Sequence, residues 1–184
     1  RKSDLVRICI RDISPEAIVK YLAALNWSGS FDALQQTLNK LSTYAARIDL
    51  DIDVGESILP KIGLECYLTK QPKFEPKWQL LLDYLTEVGL CTTQKRDSLL
   101  AYPGYIRGKQ NINFFPNNLG CISSFLGSDY EGVFFKGLHH IKVTYQESTP
   151  LEAKAYLYVN QQLINPKLVD NYQTWKNHDQ LVSS

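Results

Sequence analysis

The side chains able to do chemistry in this sequence sit at alternate positions in short segments. Residues 46–54 set Arg47, Asp49, Asp51 and Asp53 against Ile48, Leu50, Ile52 and Val54. Residues 61–68 set Lys61, Gly63, Glu65 and Tyr67 against Ile62, Leu64, Cys66 and Leu68. In 139–146, His140, Lys142, Thr144 and Gln146 oppose Ile141, Val143 and Tyr145. In 151–159, Glu152, Lys154, Tyr156 and Tyr158 oppose Leu151, Ala153, Ala155, Leu157 and Val159. Segment 5–11 sets Arg7, Cys9 and Arg11 against Val6, Ile8 and Ile10. Successive strand side chains point to opposite faces, so each segment reads as a strand with one apolar and one chemically loaded face.

Lys154 and Tyr156 project side by side from one strand, and Lys142 has the same orientation on its neighbour. Two ammonium groups flanked by the phenols of Tyr156 and Tyr158 suit a diphosphate through charge-assisted hydrogen bonds. Arg7 and Arg47 are possible helpers. Glu65 and Tyr67 share the loaded face of the 61–68 segment. The opposing reading is a polar face that meets water or a partner chain. Asp49, Asp51 and Asp53 form a carboxylate row open to Mg²⁺ or Ca²⁺ at Asp49 and Asp51, without the Gly and Glu of an EF-hand loop. The alternative is that these aspartates pair with Arg or Lys on neighbouring strands. His139 and His140 are adjacent, which in a regular strand sends them to opposite faces and rules out a shared metal. There is no Gly-x-Ser-x-Gly elbow and no phosphate loop; Gly104 and Gly108 flank Tyr105-Ile106-Arg107 without nucleotide-binding spacing.

Helical spacing fills the gaps between strands. Ser14-Pro15-Glu16 is an N-cap with proline at the first helical position, followed by the stripe Ile18, Val19, Leu22 and Leu25. Ser30 caps a second stripe, Phe31, Leu34, Leu38 and Leu41. Trp78, Leu81, Leu82, Leu85 and Val88 form a third after Pro76, with Gly89 as the stop. Thr92 or Thr93 starts a short helix through Leu100, and Pro166 starts a last one carrying Leu168, Val169, Tyr172 and Trp175. Residues 103–137, rich in Gly, Asn and Pro, read as a long irregular excursion with a short helix near Ile122–Leu126. The order gives an α+β fold: repeated α-β-β units forming a curved antiparallel sheet, a partial or complete barrel, with helices on its outer apolar face. The strand at 5–11 has no evident partner.

The α-β-β repetition with polar residues inward resembles the ABBA prenyltransferase barrel. Lys154-Ala155-Tyr156 is similar to the Lys-x-Tyr strand motif by which indole members hold the prenyl diphosphate, and Gly63-Leu64-Glu65-Cys66-Tyr67 is similar in setting to the strand glutamate that anchors the aromatic acceptor. The resemblance implies transfer of a prenyl group to an aromatic or peptide acceptor, with Lys142, Lys154, Tyr156 and Tyr158 on the diphosphate, Glu65 as the catalytic carboxylate that orients or, where desolvated, deprotonates the acceptor, and Tyr67 shielding the allylic cation. The segments 60–66, Gly89-Leu90-Cys91-Thr92 with Lys95-Arg96-Asp97, and 151–156 also look like those of uncharacterised cyanobacterial-type proteins loosely associated with peptide natural-product clusters. The alternative function is a non-catalytic binding or scaffold domain.

Composition limits the remaining classes. The 184 residues are 44% hydrophobic and 21% charged, ordinary values for a globular domain. A formal net charge of +1 removes the electrostatic case for a nucleic-acid binder. No apolar run is long enough to span a bilayer. Cys9, Cys66, Cys91 and Cys121 lack zinc spacing and read as free thiols of a cytoplasmic protein. Residues 1–184 read as a single domain, begin Arg1-Lys2-Ser3 and contain no Met. The expectation is therefore the C-terminal part of a longer chain, with a preceding segment or a second subunit covering the edge at 5–11.

Overall fold

The computed structural model describes residues 4–107, 121–122, 125 and 131–164. Its order is β1 (Val6–Ile10), α1 (Pro15–Ala24), α2 (Phe31–Ser42), β2 (Arg47–Val54), β3 (Ile58–Tyr67), α3 (Lys77–Glu87), α4 (Thr93–Ala101), β4 (Gly104–Arg107), β5 (Glu131–Tyr145) and β6 (Glu152–Ile164). All strand pairs are antiparallel, in the order β1-β2-β3-β5-β4 with β6 on β5. The sheet curls into a half-barrel, and the protein is of the α+β class.

Local chemistry sets the helices. The Ser14, Ser30 and Thr92 side chains accept from Ala17, Ala33 and Lys95 backbone N–H groups, so each satisfies an orphan donor of the first helical turn. Gly89 follows α3 at φ 76°, the left-handed conformation in which glycine carries no Cβ penalty. The helix stripes Ile18/Leu22, Leu34/Leu38/Leu41 and Trp78/Leu81/Leu82/Leu85 share one buried core with Ile48, Leu50, Ile52, Ile62, Leu64, Ile141 and Val143. Burying such side chains is worth roughly 1.5–3 kcal/mol each, which fixes the strand register. The cover thins at both ends of the sheet, where Val6 on β1 and Leu157 and Val159 on β6 stay exposed.

The strand at 5–11 does have a partner. It pairs with β2 from Val6↔Val54 to Ile10↔Leu50, placing Ile8 and Ile10 on the apolar face. Its partner lies two helices away in sequence, beyond what local pattern can show. The 103–137 region is not irregular throughout either. Gly104–Arg107 forms β4 against β5, and β5 begins at Glu131. Gly132 and Gly137 interrupt the alternation there, which conceals the strand. Cys121, Ile122 and Phe125 are helical. The rest of the excursion, and the helix expected from Pro166, lie outside the described residues.

Candidate functional site on the polar face

The polar face is assembled by register. Asp49 on β2 lies directly opposite Glu65 on β3, Glu65 opposite Lys142 on β5, and Lys142 opposite Lys154 on β6. One row away, Cys9 on β1 faces Asp51, which faces Gly63. Arg47 faces Tyr67, and His140 faces Tyr156. Opposed cross-strand residues hold their side chains about 5 Å apart, so this lattice brings most of the expected residues together.

Burial at its centre is as deep as in the hydrophobic core. Asp49 is 0% exposed and Asp51 4%. The Lys142 ammonium pairs with Asp51 Oδ2 and lies 3.9 Å from Glu65 Oε1. Lys142 reaches Asp51 from two strands away by crossing over Gly63, where a Cβ would collide with its Cε and Nζ. Burial, and then the nearby Arg7 charge, hold the Lys142 amine below its ordinary pKa. Glu65 Oε2 accepts the Tyr67 hydroxyl at 2.9 Å and the Cys9 thiol at 3.8 Å. Burial and the bond to Glu65 push the Tyr67 phenol up. Burial, followed by the Glu65 charge, raises the Cys9 thiol.

Asp49 Oδ1 lies 3.0 Å from Arg47 Nε and accepts the Asp12 backbone N–H at 3.3 Å. Asp12 presents that N–H from a left-handed backbone, φ 53°, which a short polar residue tolerates. Burial still outweighs Arg47 and raises the Asp49 carboxyl above its ordinary pKa. Asp49 Oδ2, Asp51 Oδ1 and His140 Nε2 are buried without a hydrogen-bond partner among the described residues.

The histidine pair departs from the regular-strand expectation. A bulge in β5 between Leu138 and His140 puts both rings against Tyr67, with their Nδ1 atoms 2.6 Å apart. Gln71 helps hold the bulge: its side chain donates to Leu138 O and accepts Leu138 N–H, each at 2.9 Å. His140 Nε2 stands 3.6 Å from Glu65 Oε1, and its ring stacks on Tyr156 at 4.3 Å. Desolvation brings His140 down to about 4, with Glu65 opposing and His139 assisting.

The outer candidates differ in state. Arg7 is exposed and makes a bidentate pair with Asp53, both bonds 2.8 Å. Arg47 lies over the Tyr67 ring at 4.4 Å. Asp49 and Asp51 are thus met by Arg47 from their own strand and by Lys142 from β5. The Tyr158 ring lies over Gly137. Lys154 and Tyr156 are exposed, and Lys154 has no ion pair among the described residues. Their strand also borders, on the helix-facing side of the sheet, a groove of about 550 Å³ walled by Leu82, Leu85, Leu99 and Leu157, with Lys95 at its side.

Gly63, Cys9 and the bulged histidines are the members that strand alternation did not single out. A lone glycine inside a strand pattern signals a close approach. The three-residue step from Leu138 to Ile141 signals the bulge. Comparison of the chain with protein-family models, with curated proteins and with solved structures gave no match.

Proposed function

We propose that the polar face is a binding centre built on the carboxylate pair Asp49–Glu65, which receives a positively polarised group, either an N–H or O–H donor or a cation. The observation that carries this reading is Asp49. It is fully buried, it faces a second carboxylate on the next strand, and its Oδ2 has no donor among the described residues. Two opposed carboxylates in a desolvated setting destabilise a fold, so this pair is explained by what it binds. On this reading the chain is a binding domain.

The test is an NMR titration of metal-free protein with indole, tyramine and guanidinium, followed at the Tyr67 and Tyr156 rings. Binding is expected to weaken at least tenfold, about 1.4 kcal/mol, in Asp49→Asn and Glu65→Gln. Absence of binding by all three probes and by zinc would overturn the reading.

A second reading is favoured by the groove beside Lys154. Its leucine walls suit an isoprenoid chain, and Lys95, with Lys154 on the bordering strand, suits a diphosphate at its rim. This supports prenyl transfer at the groove, on the helix side of the sheet, where Glu65 on the opposite face takes no part. Lys142, Arg7 and Arg47 are already held by carboxylates, so Lys154 would carry most of the anion. Calorimetry with dimethylallyl and geranyl diphosphate should give heat with the wild type and much less with Lys154→Ala. No heat with either diphosphate would remove prenyl transfer.

A further inference from the structure

We propose that Cys9, Asp49, Glu65 and His140 form a site for a divalent transition-metal ion, with zinc the best chemical fit. The inference deepens the binding-centre reading by naming the cation. Cys9 Sγ and one carboxylate oxygen each from Asp49 and Glu65 lie within 4.8 Å of one another. The second, independent observation is a pair of orphaned atoms: Asp49 Oδ2 and His140 Nε2 are both buried and lack a hydrogen-bond partner among the described residues. His140 Nε2 is 3.6 Å from Glu65 Oε1, so the imidazole borders the cluster.

The donor set selects the metal. A thiolate and an imidazole disfavour Mg²⁺ and Ca²⁺, whereas one sulfur, one nitrogen and two carboxylate oxygens suit tetrahedral zinc. Ligand bonds of about 2.0–2.3 Å place tetrahedral donors roughly 3.2–3.8 Å apart, so Cys9, Asp49 and Glu65 need side-chain movements of about 1 Å, and the His140 ring must swing in from beside Glu65. The surrounding contacts already orient the donors. Tyr67 holds Glu65 Oε2 at 2.9 Å, and Arg47 and the Asp12 N–H engage Asp49 Oδ1, which leaves Oδ2 free. His139 Nδ1 lies 2.6 Å from His140 Nδ1, which leaves Nε2 as the ligand nitrogen. The four donors come from β2, β3, β5 and β1, so the site exists only in the folded sheet. Binding forms a metal–sulfur bond and releases the Cys9 thiol proton to solvent. The thiolate and two carboxylates leave one net negative charge around the dication, which Arg47 balances, Lys142 being matched by Asp51.

Cobalt(II) is the probe, titrated into the full chain with no organic ligand present. A thiolate-to-cobalt charge-transfer band is expected, displaced by equimolar zinc. Cys9→Ser should lose the band, while Cys91→Ser, altered at a thiol that donates to the Thr92 carbonyl away from the carboxylate cluster, should keep it. Glu65→Gln and His140→Gln should weaken binding at least tenfold while melting in EDTA no lower than about 3 °C below the wild type, roughly a 1 kcal/mol tolerance. X-ray absorption of the zinc-loaded wild type covers the case where Cys9→Ser does not fold, and one sulfur with three nitrogen or oxygen donors is expected. No band, a band that survives in folded Cys9→Ser, or a zinc shell without sulfur would overturn the site. Binding of the organic probes above would survive each of those outcomes, so the two readings fail separately.

Discussion

Strand β2 presents two faces with the same burial and opposite chemistry. Leu50 and Asp49 are adjacent and each is 0% exposed. Leu50 joins a core of leucines and isoleucines, where removal from water is itself the stabilising term. Asp49 loses its hydration, has Arg47 on one oxygen and faces Glu65. One face holds the fold together, and the other is held in place by it. A group that is costly to bury and incompletely paired marks a site more reliably than exposure or residue type does.

The contrast can be broken most forcefully at Lys142. Lys142→Ala leaves Asp51 buried without its cation and Glu65 without its nearest ammonium, and about 3–5 kcal/mol of stability should be lost by denaturant unfolding. The double replacement Asp51→Leu with Lys142→Met should recover most of that loss, since an apolar pair needs no solvation. A double variant as unstable as the single one would mean that the ion pair is a fold determinant. On the apolar face, Leu64→Ala should cost about 2–5 kcal/mol and leave binding at the polar face unchanged once the protein is folded.

The pH dependence sharpens the contrast. His140 titrates near 4 in the fold because burial disfavours its charged form, against about 6.5 unfolded. The unfolded chain therefore binds the extra proton between those values. Stability is complete above about pH 6.5 and falls by on the order of 1–3 kcal/mol as pH drops towards 4. His140→Gln should flatten that window in urea-unfolding curves at stepped pH, and an unchanged slope would assign it to another group. The smallest effect belongs to Arg7. Its pair with Asp53 is well aligned but exposed, so Arg7→Ala should change stability by less than about 1 kcal/mol, and less again at high salt.

Much of the fold was legible because it is written locally. Ser14-Pro15, Ser30 and Thr92 mark helix starts through bonds to residues three positions on, and the alternation in 46–54 and 61–68 marks two strands a short turn apart. What was not legible is non-local or breaks a period. The β1–β2 pairing spans two helices. The β5 bulge reverses the argument that adjacent histidines must diverge, and it is hidden when the strand is read from 139 onward. Glu65, Lys142, Tyr67 and Arg47 could be placed on one face from alternation alone. That Lys142 would cross Gly63 to meet Asp51, and so be occupied, depends on a side chain reaching over an intervening strand. Cys9 looked like an ordinary strand thiol until register set it beside Glu65.

The Asp49–Glu65 pair serves binding and opposes folding. Thermal melts of the wild type and Asp49→Asn, each in EDTA and in excess zinc, test it most directly. Asp49→Asn is expected to melt no lower than the wild type in EDTA, because the carboxylate repulsion is relieved, and to gain nothing from zinc while the wild type melts higher. An Asp49→Asn protein that melts well below the wild type in EDTA and is still raised by zinc would contradict it.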